Sequence, residues 1–178
     1  LPHGLELLPL SASGGLNYQG PAWYRKHFTP DLDHKGKKVF LHFEGIMGKS
    51  KIWINGFLLK EHFGGYFPAH VDISDHINFG EKNIVAVLAD NSNDNSYPPG
   101  KRQEQLDFTY FGGIYRDVWM VFNNEIYITN SLGVDKIAGG GVFVHYKELS
   151  EKSVDIHVDT DIANNGKSKK VFLELKLL

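Results

Sequence analysis

The chain has 178 residues, 42% of them hydrophobic and 22% charged, with a formal net charge of -2 and no cysteine. A globule of this length buries roughly 70% of its unfolded surface without a disulfide or metal staple, and the composition excludes a disordered or fibrous class. Thiol catalysis and Cys-ligated zinc are excluded, the dispersed Lys and Arg residues make no field for nucleic acid, and no stretch approaches the ~20 apolar residues of a membrane-spanning helix, so neither nucleic acid nor a membrane is an expected partner.

Leu1-Pro2-His3-Gly4 lacks the charged and apolar regions of a signal peptide, and a start this abrupt suggests either processing or a cut sequence. The location stays open, with a periplasmic or secreted one slightly favoured over a cytoplasmic one. A strand is expected at residues 23 to 28. Val39, Leu41 and Phe43 then alternate with Phe40, His42 and Glu44, the period of a half-buried strand. Ile52-Trp53-Ile54 and Phe57-Leu58-Leu59 flank Asn55-Gly56, the pair that best tolerates the positive φ angles of a two-residue hairpin turn. Strands at 71 to 73 and 84 to 89 follow. Asp90 through Asp107 form a polar stretch around Pro98-Pro99-Gly100, too long for a hairpin turn and of the kind that is commonly functional. Val118, Met120 and Phe122 resume the alternation, and Asn123-Asn124 marks a break. Beyond it new alternating runs appear: Ile126 and Ile128; Val142 and Val144; Val154, Ile156 and Val158; and Val171, Leu173, Leu175 and Leu177, which reaches the end of the sequence with no partner strand after it. No segment keeps a helical period over three turns. The chain reads as all-β, a sandwich or jelly roll over residues 1–123 and a second, cut-short β domain over residues 124–178.

Several motifs tempt and fail. Gly48-Lys49-Ser50 would put the first glycine of a phosphate loop at Phe43, and a strand follows where a helix should open. Asp90, Ser92 and Asp94 have the odd-position spacing of a calcium loop, but Asn95 replaces its turn glycine and Lys101 its bidentate Glu, so a solvated turn is expected. Nine histidines include no His-Glu-x-x-His pair, and no Gly-x-Ser-x-Gly elbow is present. Hydrolysis of a glycoside needs two carboxylates about 5 to 9.5 Å apart. The tempting nominee, Glu125 of Asn124-Glu125, begins a solvated strand at a domain break, and no βα repeat exists to build a barrel around it. Catalytic residues are therefore expected outside this chain.

Read in order, Leu1-Pro2-His3, Trp23-Tyr24-Arg25-Lys26-His27-Phe28, Val39 through Gly45, Trp53-Ile54-Asn55-Gly56, Gly64-Gly65-Tyr66, Asp72-Ile73-Ser74, Asn83 through Val87, Asp90-Asn91 and Phe111-Gly112-Gly113-Ile114-Tyr115-Arg116-Asp117-Val118-Trp119 resemble the N-terminal domain of family 2 glycoside hydrolases, the beta-galactosidases and beta-glucuronidases. The resemblance covers essentially residues 1 to 122, and the tail from about 125 resembles the start of the family's immunoglobulin-like second domain. It implies a galactose-binding-like jelly roll lacking its opening strands, then the first part of an immunoglobulin-like β-sandwich, then a catalytic (β/α) barrel that this sequence does not reach. One departure is Gly4-Leu5, where the family usually continues with Asp or Thr and then Trp.

The resemblance also implies roles. Asp107 precedes the Gly-Gly-Ile-Tyr-Arg run by the distance of the carboxylate that the family extends into the barrel's active site, and a carboxylate accepting two hydroxyl hydrogen bonds fixes a vicinal diol; a loop cap is the alternative. Tyr110 is the second substrate-binding candidate, by stacking on a sugar face or on the barrel rim. Trp53 and Trp119 read as core or domain-contact aromatics, and Arg116 as one side of a buried ion pair, an exposed side chain being its alternative. No cofactor or metal is expected. The implied partners are a terminal β-glycoside, the catalytic barrel of the parent polypeptide, and a second copy in a homo-oligomer. The expected function is the non-catalytic sugar-binding front of a retaining exo-glycosidase, inactive alone; the rival readings are a free-standing carbohydrate-binding module and a sandwich with no sugar role.

Overall fold

A computed structural model of the chain describes residues 2–4, 18–106, 111–134 and 136–177. Helix is confined there to three 3-10 turns, at Leu32–His34, Ser74–His76 and Gln103–Gln105, and the rest of the regular structure is strand. The chain divides into two compact units, Leu1–Phe122 and Asn123–Leu178.

The first unit is a sandwich of two antiparallel sheets. One has four strands, β1 (Pro21–Phe28), β6 (Asn83–Asp90), β3 (Lys49–Ile54) and β4 (Phe57–Phe63), in the order β1-β6-β3-β4; the other has three, β5 (Ala69–Asp72), β2 (Lys38–Phe43) and β7 (Val118–Asn123), in the order β5-β2-β7. The expected hairpin joins β3 to β4: Asn55 and Gly56 take φ of 49° and 90°, as a turn matching strand twist demands. Asn55 also ties the turn down, donating through Nδ2 to His76 O and Asn83 Oδ1 at 2.8 Å each and accepting from Ile84 N at 2.9 Å. Inward-pointing side chains of both sheets make the core, in which Val39, Phe43, Ile46, Ile52, Ile54, Ile73 and Ile114 are essentially fully buried. Alongside β1 and β7, the edge strands on one side, the sheets stand apart around an apolar cavity of about 570 Å³ lined by Tyr24, Phe28, Leu41, Phe43, Val85, Val87, Val118 and Met120, among others.

The alternation in β2 suggested one buried face, but both are covered. Phe40 and His70 point away from the core yet are only 7% and 8% exposed, because their rings stack face to face across the β2–β5 pair, centroids 4.7 Å apart. The seat suits only a neutral imidazole: burial, and then the neighbouring His42, push the pKa of His70 down to about 4, with Lys60 adding to the fall and Asp72 opposing it.

In the second unit, β8 (Ile126–Ile128) pairs with β11 (Ile162–Asn164) and β9 (Val142–Leu149) with β10 (Val154–Thr160), the latter through a turn closed by Ser150 N donating to Ser153 O at 2.9 Å. Glu125 is an ordinary charge here, exposed and 2.9 Å from Lys169 Nζ. The strand expected over Val171, Leu173, Leu175 and Leu177 is not formed. Alternation marks faces, but a strand also needs a neighbour for its backbone N–H and C=O groups, and none pairs with this run among the described residues.

An unfolded histidine takes up its proton near pH 6.5 and folded His70 only near 4, so between these values the unfolded state binds more protons. Stability should fall as pH drops through this window, by about 1–3 kcal/mol for this one residue. Urea unfolding at pH 7 and pH 4.5 checks it: His70→Phe should lose less stability between the two than the parent chain does, and an equal loss would contradict the assignment.

Candidate functional site

Strand register gathers four connections at one end of the sandwich. Pro21 pairs with Asp90, Asp90 with Lys49, Lys49 with Phe63, and Phe43 with Ala69. Residues 18–20, the β2–β3 connection (44–48), the β4–β5 connection (64–68) and the long β6–β7 connection (91–117) therefore all leave from the same end.

The long connection is fastened at its start. Asn91, buried, accepts from Gly20 N at 2.9 Å and donates to Tyr18 O at 2.7 Å, so one amide satisfies two backbone groups of the approach to β1. Asn93 Oδ1 accepts from Gln103 N at 2.9 Å, and Gln19 bridges Asn93 and Gln103 with its side chain. The Asp90, Ser92, Asp94 row makes local turns: Asp90 accepts from Ser92 N at 2.9 Å and Asp94 from Ser96 N at 2.7 Å. Asp94 also pairs with Lys49, which holds its carboxyl well below the usual range, and the Lys49 ammonium lies 5.8 Å from the centre of the Tyr97 ring. Gly48-Lys49-Ser50 thus begins a strand and an ion pair, with no phosphate cradle. Gly48 is required by space, since it has φ of 87° and a Cβ there would lie 2.0 Å from Asp90 O.

The far end of the connection is held more firmly. His3 N donates to Ile114 O at 2.7 Å, Met47 N to Gly113 O at 2.9 Å and Glu44 N to Asp117 O at 3.0 Å, while Ile114 plugs the core. Two tyrosines complete the clamp. The Tyr24 hydroxyl meets His3 Nδ1 at 3.0 Å and lies so close to Gly113 that a Cβ there would be 2.2 Å from it; burial raises the Tyr24 pKa, opposed by a backbone hydrogen bond from Ile114. Tyr115 Oη donates to Gly65 O at 2.6 Å, and its ring occupies the space that a Cβ on Gly45 would take. The tract from Gly112 to Asp117 is thereby tied to both neighbouring connections. Phe63, Tyr66, Phe67 and Phe111 stand exposed around it.

Asp107 and Tyr110, the substrate-binding candidates, lie outside the described residues; the fastened segments reach Leu106 on one side and Phe111 on the other. Arg116 does not form the buried ion pair that its flanking residues suggested. It is exposed, with its guanidinium 5.9 Å from the Tyr115 ring centre, because Tyr115 and not a carboxylate occupies the inner position. Trp119, read as a core or domain-contact aromatic, is not in the core: it is 54% exposed and donates through Nε1 to Glu44 Oε1 at 2.8 Å. Sequence reasoning did not bring Tyr24, His3 and Gly113 together: all three stood in separate motifs of the resemblance, and nothing in the sequence marks their contact.

Residues 8–124 match the family model described as glycosyl hydrolases family 2, sugar binding domain. The chain is 35% identical over 172 residues to a beta-galactosidase of Thermoanaerobacter pseudethanolicus, covering 94% of this chain and 21% of that protein. It is 37% identical over 157 residues to a beta-glucuronidase of Formosa agariphila, covering 86% of this chain and 16% of the relative. Among solved structures, a Bacteroides uniformis beta-glucuronidase superimposes with a TM-score of 0.72 at 29% identity, over 84% of this chain and 17% of that one. The chain thus spans about a fifth of the length of such relatives.

The reading of Gly48 is open to a paired test. Gly48 and Gly56 have nearly equal φ, 87° and 90°, but a Cβ at Gly56 meets nothing within 4 Å. Gly56→Ala should cost about 1 kcal/mol, the conformational term alone, whereas Gly48→Ala must also displace backbone and should cost at least about 3 kcal/mol. Equal losses in chemical denaturation would contradict the close approach to Asp90.

Proposed function

The chain belongs to the glycosyl hydrolases of family 2, of which residues 8–124 are the sugar-binding domain, and on that premise we propose that it serves a retaining exo-glycosidase by holding Asp107 and Tyr110 against the terminal sugar of a β-glycoside. The observation that carries this reading is the clamp on Gly112–Asp117 together with the fastening of residues 91–105, which fixes the chain on both sides of the segment bearing Asp107. A binding group is worth most when its support is rigid, because the ordering cost has then been met on folding.

The chemistry assigned to this chain is recognition. An ionised Asp107 accepts two hydroxyl hydrogen bonds and so selects the orientation of a vicinal diol, while Tyr110 offers a ring for the apolar face of the sugar. The two carboxylates of the reaction, one protonating the leaving oxygen and one attacking the anomeric carbon, belong to a catalytic barrel carried elsewhere in the parent polypeptide. The exposed aromatics Phe63, Tyr66, Phe67 and Phe111 around the clamp support docking of this end on that barrel. The exposed apolar rows of the second unit, such as Val142, Val144 and Ile156, support association with a further copy or domain.

Two outcomes are expected. The isolated chain should show no turnover of aryl β-galactosides or β-glucuronides; sustained release above buffer that disappears in Glu125→Gln would overturn the assignment. In the full-length parent, Asp107→Ala should lower kcat/KM by about 10- to 1000-fold with the fold retained. Unchanged kinetics would return Asp107 to a loop cap.

A further inference from the structure

The outward face of the four-stranded sheet carries a feature that the loop end does not explain. Trp23 on β1 and Trp53 on β3 are separated by β6, yet their ring centroids are 5.3 Å apart with planes inclined by 32°. Register gives the reason. Ala86 of β6 pairs with both Arg25 and Trp53, and its single methyl group leaves room for the two indoles to lean together over the intervening strand. Trp23 remains 62% exposed, Arg25 is exposed beside it, and with Gly56 and Ile84 these residues line an open groove of about 320 Å³.

An indole as open to water as Trp23 loses much of the stabilisation of burial, and a second, half-buried indole leaning against it is an unusual way to finish a sheet face. The groove lies at the lower end of the 300–1,000 Å³ of small-ligand sites, a size that fits a small ligand. Chemistry narrows it further: a pyranose ring presents axial C–H groups, weakly positive, to the negative faces of aromatic rings, while its equatorial hydroxyls point sideways to polar neighbours. Arg25 supplies guanidinium donors at that position, with His27 on the same face of β1, while Lys51 on β3 is paired with Glu61 at 2.6 Å.

We propose that Trp23, Trp53 and Arg25 form a stacking platform for a pyranosyl oligosaccharide on the sheet face, with Arg25 favouring chains that carry uronic acid carboxylates. The platform is built wholly from residues of this chain and does not depend on the reading of Asp107. It would keep a glycan chain associated with the domain independently of the sugar held at the loop end.

The test titrates the 178-residue chain, by intrinsic tryptophan fluorescence and by calorimetry, with cellohexaose and with a β-1,4-linked oligoglucuronate of the same length. Saturable binding is expected in the millimolar range or tighter, with the uronate oligomer several-fold stronger at low salt. Trp23→Ala and Trp53→Ala should each weaken both ligands by about tenfold or more, and Arg25→Ala should abolish the preference for the uronate while leaving cellohexaose nearly unchanged. Trp119→Phe, on the other sheet, serves as the control with no effect, and Arg25→Ala keeps the test decisive should a tryptophan variant fail to fold. Absence of saturable binding of either oligomer, binding indifferent to all three platform substitutions, or self-association abolished by Trp23→Ala in place of glycan binding would each overturn the proposal.

Discussion

The first unit depends on how one irregular tract is seated. Ile114 lies at the bottom of the core, and the backbone on either side of it is bonded to residues 3, 44 and 47, so the tract from Gly112 to Asp117 acts as a third partner between the sheets at the loop end. Each of these hydrogen bonds is worth only about 0.5–1.5 kcal/mol net, but an unsatisfied backbone group beside a buried isoleucine costs more than that. The bonds are thus a condition for burying Ile114. Two glycines make room for the clamp: Gly113 for the Tyr24 hydroxyl, and Gly45 for the Tyr115 ring.

From this follows a division of labour. The sheets provide a stiff body, and the clamp transmits that stiffness to the ends of the long connection, on either side of the segment proposed to carry the sugar-binding side chains. Comparable rigidity at the start of the connection comes from amides: Asn91 is buried with its hydrogen bonds directed to the approach to β1, and Asn93 is shared between two glutamines. Asparagine suits this role because one short side chain offers both donors and an acceptor, so a single residue can imitate a missing strand partner.

How much of this could be read from residues alone varies with the range of the interaction. The β3–β4 hairpin was legible because Asn55-Gly56 encodes it within two residues, and the all-β class because period-2 alternation recurs down the chain. Gly48 was legible only as part of a false phosphate motif, since its reason for being glycine is the backbone of Asp90, far along the chain. Phe40 and His70 show the same limit: alternation assigned Phe40 to the solvent side, and only the β2–β5 pairing reveals the ring that covers it. The run Val171 to Leu177 errs in the opposite direction, for it has the pattern of a strand but pairs with no neighbour among the described residues. Arg116 was assigned a carboxylate from its neighbours in sequence, whereas its contact is the face of Tyr115. At the candidate site the polar stretch from Asp90 to Asp107 marked the long connection, but the tyrosine clamp that holds its far end is a property of the fold, assembled from residues 3, 24, 65, 113 and 115.

The loop end is fixed before any ligand arrives, by hydrogen bonds and ring contacts within the chain itself. Amide hydrogen exchange of the free chain at Glu44 and Met47 tests it most directly, because both amides lie outside strands and are held only by the 113–117 tract. A fixed end predicts protection within about tenfold of that in the neighbouring strand Lys38–Phe43, the behaviour of groups that open only with the core. Exchange at the rate of an unprotected loop at these two amides, with the strand still protected, would contradict it.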